Sequence, residues 1–526
     1  MTAQQAGRRE WTALAVLLLP LLLVSMDVSV LYFAVPFISR DLHPTAAQQL
    51  WIFDIYGFVL SGLLLTMGAL GDRIGRRKLL LLGAAAFGAA STAAAYAHNA
   101  ETLIAARALL GVGGATLMPS TLALVRNMFP DERQRGTAVA IWSGTLTGGV
   151  ALGPVLSGFL LNHFWWGSVF LVNLPAMVLL LVLAPFLVPE FKGSSAGHRF
   201  DLLGSALSLA SVLPVVYGLK RTATDGFATL PTLAIVTGLG FGAAFVRRQR
   251  TSAHPMISPT LFHGRGFGPA IGLNAAAMFA MAGFTVFSTQ YLQLVLGKSA
   301  LDAALWSLIP AALVGGAAPA ATAMAQRGVD RAYIMGGAFA LAAAGYAVSL
   351  GATADSGIWV ILLACGLAAI GIVMVMTQIT DLALGVVPPQ SAGAASALLE
   401  TGQEFGAALG TAVLGSIGAG VYRREVTDSA PAGLPGGALH SIRQTLGNAL
   451  AIADRLPNRA GSALVHTARD SFVQGMHAAA VGATVVMLLA SGLAITRLRG
   501  LTSAPAEPTQ PAEPSQATAP ETTPVC

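Results

Sequence analysis

Five ionisable side chains interrupt the long apolar stretches of this sequence. Four are acids, Asp27, Asp54, Glu400 and Glu404, and the one clear cation is Arg107. A charge near the centre of a membrane helix costs about 2.5–3.5 kcal/mol on insertion scales. A chain that keeps such residues where leucine would be cheaper is expected to use them. We therefore interpret all five as candidates for holding protons or for binding a charged compound.

The composition indicates a polytopic membrane protein. Of the 526 residues, 55% are apolar and 10% are charged, whereas soluble domains carry about 25% charged residues. The net charge of +6 is explained by basic cytoplasmic loops, and no basic stripe with interleaved aromatic residues predicts a nucleic-acid partner. The sequence shows no phosphate-binding loop, zinc motif or histidine ligand spacing, so we expect no cofactor, no metal and no enzymatic activity.

Apolar runs predict fourteen membrane spans with both termini in the cytoplasm. Short loops expected outside hold only Arg40, Lys220, Arg221 and Lys298, while the segments expected inside hold many more cations. The predicted spans are 12–36, 49–71, 79–97, 102–125, 137–161, 169–189, 201–219, 230–246, 267–289, 303–325, 332–352, 358–379, 393–421 and 471–497.

The short polar island between the second and third spans carries a known signature. It resembles the loop after helix 2 of major facilitator superfamily transporters, and its matching residues are Gly68, Leu70, Asp72, Arg73, Gly75, Arg76 and Lys78. The resemblance implies an all-α membrane fold of two six-helix bundles. It also implies an inner gate made by Gly68, Asp72, Arg73, Gly75 and Arg76.

Two extra spans between the halves resemble the fourteen-span drug:proton antiporter branch of that superfamily. A weak internal repeat of the island, residues 325–331, lies at the equivalent place in the second half. The predicted organisation is an N-terminal bundle at 1–190, two inserted helices with linkers at 191–266, a C-terminal bundle at 267–500 with a long external loop at 422–470, and a disordered tail at 501–526. Within the loop, 438–454 has the pattern of an amphipathic helix.

Asp27 is the deepest of the four acids, about fifteen residues into the first span. The run from Asp27 to Pro36 resembles the first-span signature of the fourteen-span branch, and the segment around Arg107 resembles the fourth-span signature of the superfamily. Because an arginine in a membrane needs a carboxylate, we expect the two side chains to pair. Protonation of Asp27 would then break the pair and couple protons to a conformational change, although a purely structural ion pair is the alternative.

Asp54 stands between Trp51 and Tyr56 in the second span. This arrangement resembles the corresponding segment of quaternary-ammonium efflux pumps, which implies a site that binds lipophilic cations through charge and aromatic faces. The alternative is a carboxylate that snorkels to the outer interface beside an aromatic belt.

Glu400 and Glu404 are four residues apart and lie on one helix face. Two carboxylates at that spacing repel each other, which suits a site that alternates between protons and a cation. Both are assigned to proton coupling, and Glu400 with Asp27 is also assigned to substrate binding. Alternatively, both face a wet cytoplasmic vestibule without a coupling role.

The fifth span is rich in small residues and contains a proline. Its residues Gly149, Gly153, Pro154 and Gly158 resemble the antiporter signature of exporters in the superfamily, which favours export over uptake. From the residues alone, the pattern predicts close helix packing and a proline kink.

Together these features predict a proton-coupled multidrug efflux transporter in a bacterial inner membrane. It would export lipophilic, predominantly cationic compounds by alternating access, and one chain would suffice for function. The alternatives are an exporter dedicated to one neutral antibiotic, lipid or metabolite, and a non-transporting membrane sensor. Sodium in place of the proton also stays open.

Overall fold

The computed structural model describes residues 6–192, 202–225, 228–252, 266–385, 392–430 and 438–500. These residues form helices joined by short connections, with no strand among them. The predicted disordered tail and the linkers around 193–201 and 253–265 lie outside the described residues.

The N-terminal half and the insert contain nine helices. They are α1 (Arg8–Leu42), α2 (Ala46–Ile74), α3 (Arg76–Ala95), α4 (Ala100–Met128), α5 (Glu132–His163), α6 (Ser168–Leu171), α7 (Asn173–Leu187), α8 (Leu202–Asp225) and α9 (Thr229–Thr251).

The C-terminal half contains a further nine described helices. They are α10 (Phe267–Gln290), α11 (Ala300–Val314), α12 (Ala317–Gln326), α13 (Arg331–Val348), α14 (Ile358–Gly385), α15 (Ala392–Asp428), α16 (Ala438–Ile442), α17 (Leu446–Ala453) and α18 (Asn458–Leu498). A π-helical turn, Tyr291–Val295, continues α10, and a 3₁₀ turn, Ser349–Gly351, ends α13.

Eleven described helices are long and apolar enough to cross a membrane, judged by length and composition. The number is thirteen if two bent helices each count as one span. Helix α8 coincides with the remaining predicted span, 201–219, but is not among the thirteen. The prediction of an all-helical, multispan fold is confirmed, and the count of fourteen stays a prediction.

The bend in α5 has an identifiable cause. The segments Arg133–Val150 and Leu152–His163 meet at an angle of 42°. Pro154 lacks an N–H, and its ring clashes with the carbonyl of the residue four positions earlier, which is Val150. The proline kink predicted for the fifth span is therefore present.

Glycine and serine residues on α5 let it pack closely against α1. A Cβ atom added at Gly149 would lie 2.8 Å from the Leu22 carbonyl oxygen, and one at Gly153 would lie 3.2 Å from that of Met26. One turn further, the Ser157 hydroxyl donates to the Val30 carbonyl at 3.0 Å. This is the close small-residue packing predicted for the span.

The inserted hairpin α8–α9 lies beside both halves. Helix α8 packs against α2 and α15, and Leu213 of α8 joins a small apolar cluster formed by Phe58, Ala408 and Ala412. Helix α9 packs on α8. The insert is thus a distinct helical pair, although the predicted domain boundaries stay predictions.

The 438–454 segment forms two short helices in place of one. Tyr422 of α15 donates a hydrogen bond from its hydroxyl to the Ile442 carbonyl at 2.9 Å. The Gln444 side chain accepts from the Ala46 backbone N–H, the first residue of α2, at 3.1 Å. These contacts hold α16 and α17 across the bundle end opposite the Asp72 loop.

Candidate functional site

Asp27 and Arg107 form a buried ion pair that joins α1 to α4. One Arg107 Nη atom lies 2.7 Å from an Asp27 carboxylate oxygen, and the two side chains are 1% and 3% exposed for Arg107 and Asp27 respectively. The predicted pairing is therefore present. The opposite charges offset the cost of removing each from water, which neither would bear alone.

Arg107 also binds α2, so three helices meet at one guanidinium group. Its Nε donates to the Ile52 carbonyl at 2.9 Å, and its second Nη donates to the Phe53 carbonyl at 3.5 Å. The guanidinium carbon lies 5.1 Å from the centre of the Tyr56 ring, within cation–π range. Losing Asp27 as a partner would leave the contacts of Arg107 with α2 intact.

The structure separates Tyr56 from Trp51. Tyr56 faces Arg107 inside the N-terminal half, whereas Trp51 packs on the Phe58 cluster beside α8. The two residues do not surround a shared cation site as predicted, because five residues along a helix turn them to different faces. Asp54 is only 2% exposed, which contradicts the alternative that it snorkels to an aqueous interface.

The aromatic ring pair in this region is formed by Tyr32 and Phe53. Their centroids are 5.3 Å apart in a stacked arrangement. Phe53 immediately precedes Asp54 on α2. Sequence reasoning missed both aromatic residues as site candidates, although Tyr32 lies five residues after Asp27 on α1.

Glu404 reaches the N-terminal half. Its carboxylate lies 3.8 Å from the position that a Cβ would occupy at Gly57, and Ala408 lies 3.5 Å from the same point. The absence of a side chain at Gly57 thus lets α15 approach α2 about one turn from Asp54. Glu400 lies one turn before Glu404 and is half-buried. The carboxylates of both halves therefore converge on one region.

Amide side chains accompany the acids of the C-terminal half. Buried Asn274 on α10 donates to the Leu399 carbonyl at 3.0 Å, next to Glu400. Nearer the end opposite Asp72, the Gln49 side-chain amide donates to the Gln290 side-chain oxygen, Oε1, at 3.5 Å across the halves. These glutamines line a cavity of about 50 Å³ beneath α17. Polar residues in otherwise apolar spans were the sequence signal for this network.

The turn between α2 and α3 brings together Asp72 and Arg76 of the predicted gate, and their role in gating stays a prediction. Asp72 pairs with Arg76 one turn later, at 2.6 Å, while Arg73 is exposed. Gly75 has φ +114°, a left-handed conformation that favours glycine. A Cβ atom added at Gly68 would lie 3.8 Å from the Cβ of Pro119 on α4.

Glu190, which lies three residues after α7, caps the start of α3. Sequence reasoning missed this residue. Its carboxylate accepts from the backbone N–H groups of Arg77 and Lys78 at 2.9 and 3.2 Å. A carboxylate there satisfies free N–H groups and the positive end of the helix dipole. A Cβ on Gly75 would lie 2.6 Å from the same carboxylate, so glycine is required for the cap.

The antiporter-type residues of α5 act in packing. Gly149 and Gly153 contact α1, and Gly158 faces the second half, where an added Cβ would lie 2.6 Å from the Leu301 backbone. Within the described residues no three histidine, cysteine or acidic side chains are grouped as a metal site would require.

Comparison with known proteins assigns the family. The profile of the Major Facilitator Superfamily matches residues 17–411. The chain is 42% identical over 485 residues to the "Multidrug efflux pump LfrA" of Mycolicibacterium smegmatis, covering 92% of this chain and 95% of that protein. It is 34% identical over 493 residues to the "Methyl viologen resistance protein SmvA" of Salmonella typhimurium, covering 92% and 98%.

Solved structures support the same fold. A bacterial homologue of the human lysosomal transporter Spinster, solved inward-facing and unoccupied, superposes with a TM-score of 0.66 at 16% identity, covering 94% of this chain and 100% of that one. At that identity the likeness shows the fold alone. The chain is a multi-pass membrane protein, and it belongs to the Major Facilitator Superfamily of transporters.

Proposed function

We propose that this chain exports lipophilic, predominantly cationic compounds across a bacterial inner membrane in exchange for protons, with both termini in the cytoplasm. The observation that carries the proposal is the approach of Glu404 to Gly57 of α2, about one turn from buried Asp54 and next to Phe53, whose ring stacks on Tyr32. Buried carboxylates beside aromatic faces attract a lipophilic cation and hold a proton in its absence.

The ion pair supplies a route from proton binding to movement. A proton on Asp27 removes the charge that holds α1 to Arg107. Arg107 keeps its bonds to the Ile52 and Phe53 carbonyls and its place over Tyr56. Helices α2 and α4 therefore stay joined while α1, with α5 packed on it, is released. We therefore infer that α1 and α5 are the elements that respond to the proton.

The names of relatives agree with this substrate class. SmvA is named for resistance to methyl viologen, which is a dication, and LfrA is named a multidrug efflux pump. We infer that the half-buried Glu400 and Glu404 extend the same acidic region toward the predicted cytoplasmic end, where a substrate arrives.

Inverted vesicles with an acidic interior test the proposal. Ethidium or methyl viologen is added to vesicles holding the wild type or Asp27→Asn, and the internal pH is recorded. We expect each compound to release internal protons from wild-type vesicles and not from the variant. A proton release that Asp27→Asn leaves unchanged would exclude Asp27 from coupling. Sodium release in its place would identify sodium as the coupling ion.

A neutral substrate is the second candidate. A 30% identical relative is named a tetracenomycin C resistance and export protein of Streptomyces glaucescens, and α11 between Trp306 and Val314 contains no acid. If protein shown to be folded releases no protons with any lipophilic cation but does so with a neutral polyketide, this candidate replaces the first.

A further inference from the structure

A groove of about 710 Å³ lies along the last turns of α9, with Ser211 of α8 at its edge. Its walls include Leu239, Phe245 and Val246, and its far wall contains Ser211. The groove ends beside Arg247 and Arg250 in the last turns of α9, which the loop charges place at the cytoplasmic end. An apolar trough with two guanidinium groups at one end is amphipathic.

Gly242 lies at the groove, where α9 still packs against Ser211 of α8. Along the hairpin, glycines bring the backbones together, and a Cβ at Gly238 would lie 2.7 Å from the Ser211 carbonyl oxygen. At Gly242 the nearest atom to an added Cβ is the Ser211 hydroxyl, at 2.8 Å. The bulky side chains of Phe245 and Val246 follow on α9 and line the groove.

Arg247 and Arg250 have no counter-ion among the residues that the structure describes. They are three residues apart, on one helix face, and both are exposed. Neither forms an ion pair within the described residues. The flanking stretches 193–201 and 253–265 contain two arginines and a single acid, Asp201. The sequence of this region therefore carries excess positive charge, which suits an anionic ligand.

The surroundings of the groove are hydrocarbon. Helix α9 is apolar enough to span a membrane, yet only 11% of the residues in its most apolar stretch are buried in the protein. Leu230, Leu233, Val236 and Leu239 are all more than half exposed. A face of this kind lies against lipid tails, and the groove opens on the same helix.

We propose that this groove binds an anionic glycerophospholipid of the cytoplasmic leaflet. The phosphodiester lies against Arg247 and Arg250, whose planar forks match phosphate oxygens. An acyl chain lies along Leu239, Phe245 and Val246. Basic pockets between membrane helices on the cytoplasmic side are suited to anionic head groups. Because α8 packs on both α2 and α15, the bound lipid lies beside the one inserted helix that touches both halves.

Lipid retention by the full-length protein tests the proposal. The purified chain is delipidated in detergent and titrated with short-chain phosphatidylglycerol or phosphatidylcholine, and bound lipid is counted by native mass spectrometry. We expect one phosphatidylglycerol per chain, and a weakening of about thirtyfold in Arg247→Gln/Arg250→Gln. Phosphatidylcholine binding is expected to be weak in both proteins.

Two further variants separate the groove from general surface charge. Arg8→Gln/Arg497→Gln removes two exposed cations from the same predicted end, outside the groove, and should leave phosphatidylglycerol binding unchanged. Ala243→Phe keeps both arginines but fills the trough, and should weaken binding at least tenfold. The proposal is overturned if the two arginine pairs have equal effects. It is also overturned if the wild type binds no phosphatidylglycerol, the result expected when residues 253–265 fill the groove.

Discussion

The two halves of the molecule handle buried charge in opposite ways. In the N-terminal half, Asp27 and Arg107 neutralise each other at 2.7 Å, and Arg107 is further held by two carbonyls and an aromatic ring. In the C-terminal half, Glu400 and Glu404 form no ion pair within the described residues and have amide neighbours instead. We propose that the first arrangement acts as a proton-dependent switch and that the second is an acidic site that exchanges its partner.

The related turns of the two halves show the same contrast on a smaller scale. Glu190 caps α3 from the end of α7, so the first turn depends on a contact over more than a hundred residues. In the second half, Asp330 caps α13 locally by accepting from the Ala332 N–H at 2.9 Å, and it also accepts from the Gly500 N–H. The N-terminal half is thus tied together at the site where the Asp72 signature lies.

The largest loss of stability and transport is expected when one partner of the Asp27–Arg107 ion pair is neutralised. Asp27→Asn leaves Arg107 buried without a countercharge, so we expect a loss of about 3–5 kcal/mol in unfolding free energy and of all proton-coupled transport. Thermal unfolding in detergent and vesicle transport measure the two losses. Asp27→Asn/Arg107→Gln should regain most of the stability and no transport. Transport in the double variant would show that the pair is structural.

The second-largest effect, a loss of export, is expected from Glu404 in the C-terminal half. Glu404→Gln is expected to reduce ethidium export about tenfold or more, because a cation loses a carboxylate in a poorly solvated region. Its unfolding free energy should change by less than about 1 kcal/mol, since no buried partner loses a countercharge. A Glu404→Gln variant as unstable as Asp27→Asn would remove the contrast between the halves.

The contact between α1 and α5 should be sensitive to one added methyl group. Gly153→Ala forces atoms against the Met26 carbonyl and is expected to destabilise the protein by about 1–3 kcal/mol. Gly148→Ala on the same helix, where nothing lies within 4 Å, should be neutral or slightly stabilising. Thermal unfolding of both variants in one detergent makes the comparison. Equal effects would argue against close packing as the role of Gly153.

The smallest effects are expected at the two caps. Glu190→Gln and Asp330→Asn should each cost about 0.5–2 kcal/mol, because a charged or hydrogen-bonded cap is weakened. Glu190→Gln should increase hydrogen exchange in both α3 and the end of α7, whereas Asp330→Asn should increase it in α13 and at Gly500, because each carboxylate also joins a distant segment. Exchange confined to α3 would indicate that the cap is dispensable for holding α7.

Long apolar runs and charge asymmetry were sufficient to predict a multispan helical fold, and the Asp72 signature was sufficient to assign the family. The pairing of Asp27 with Arg107 followed from the scarcity of charge in the membrane. The different directions of Trp51 and Tyr56 could not be predicted from the sequence, because the rotation of a helix within a bundle depends on its packing against all its neighbours. Glu190 was missed for a related reason, since its partners lie more than a hundred residues away.

Helix α8 has a consequence for how compounds reach the interior. It fills the seam between the halves on the α2–α15 side, where Leu213 contacts the Phe58 cluster. The opposite seam, between α5 and α11, is closed at one end by the contact of Gly158 with Leu301. We therefore expect hydrophobic molecules dissolved in the bilayer to have lateral access from one side only, through the cytoplasmic part of the α5–α11 seam.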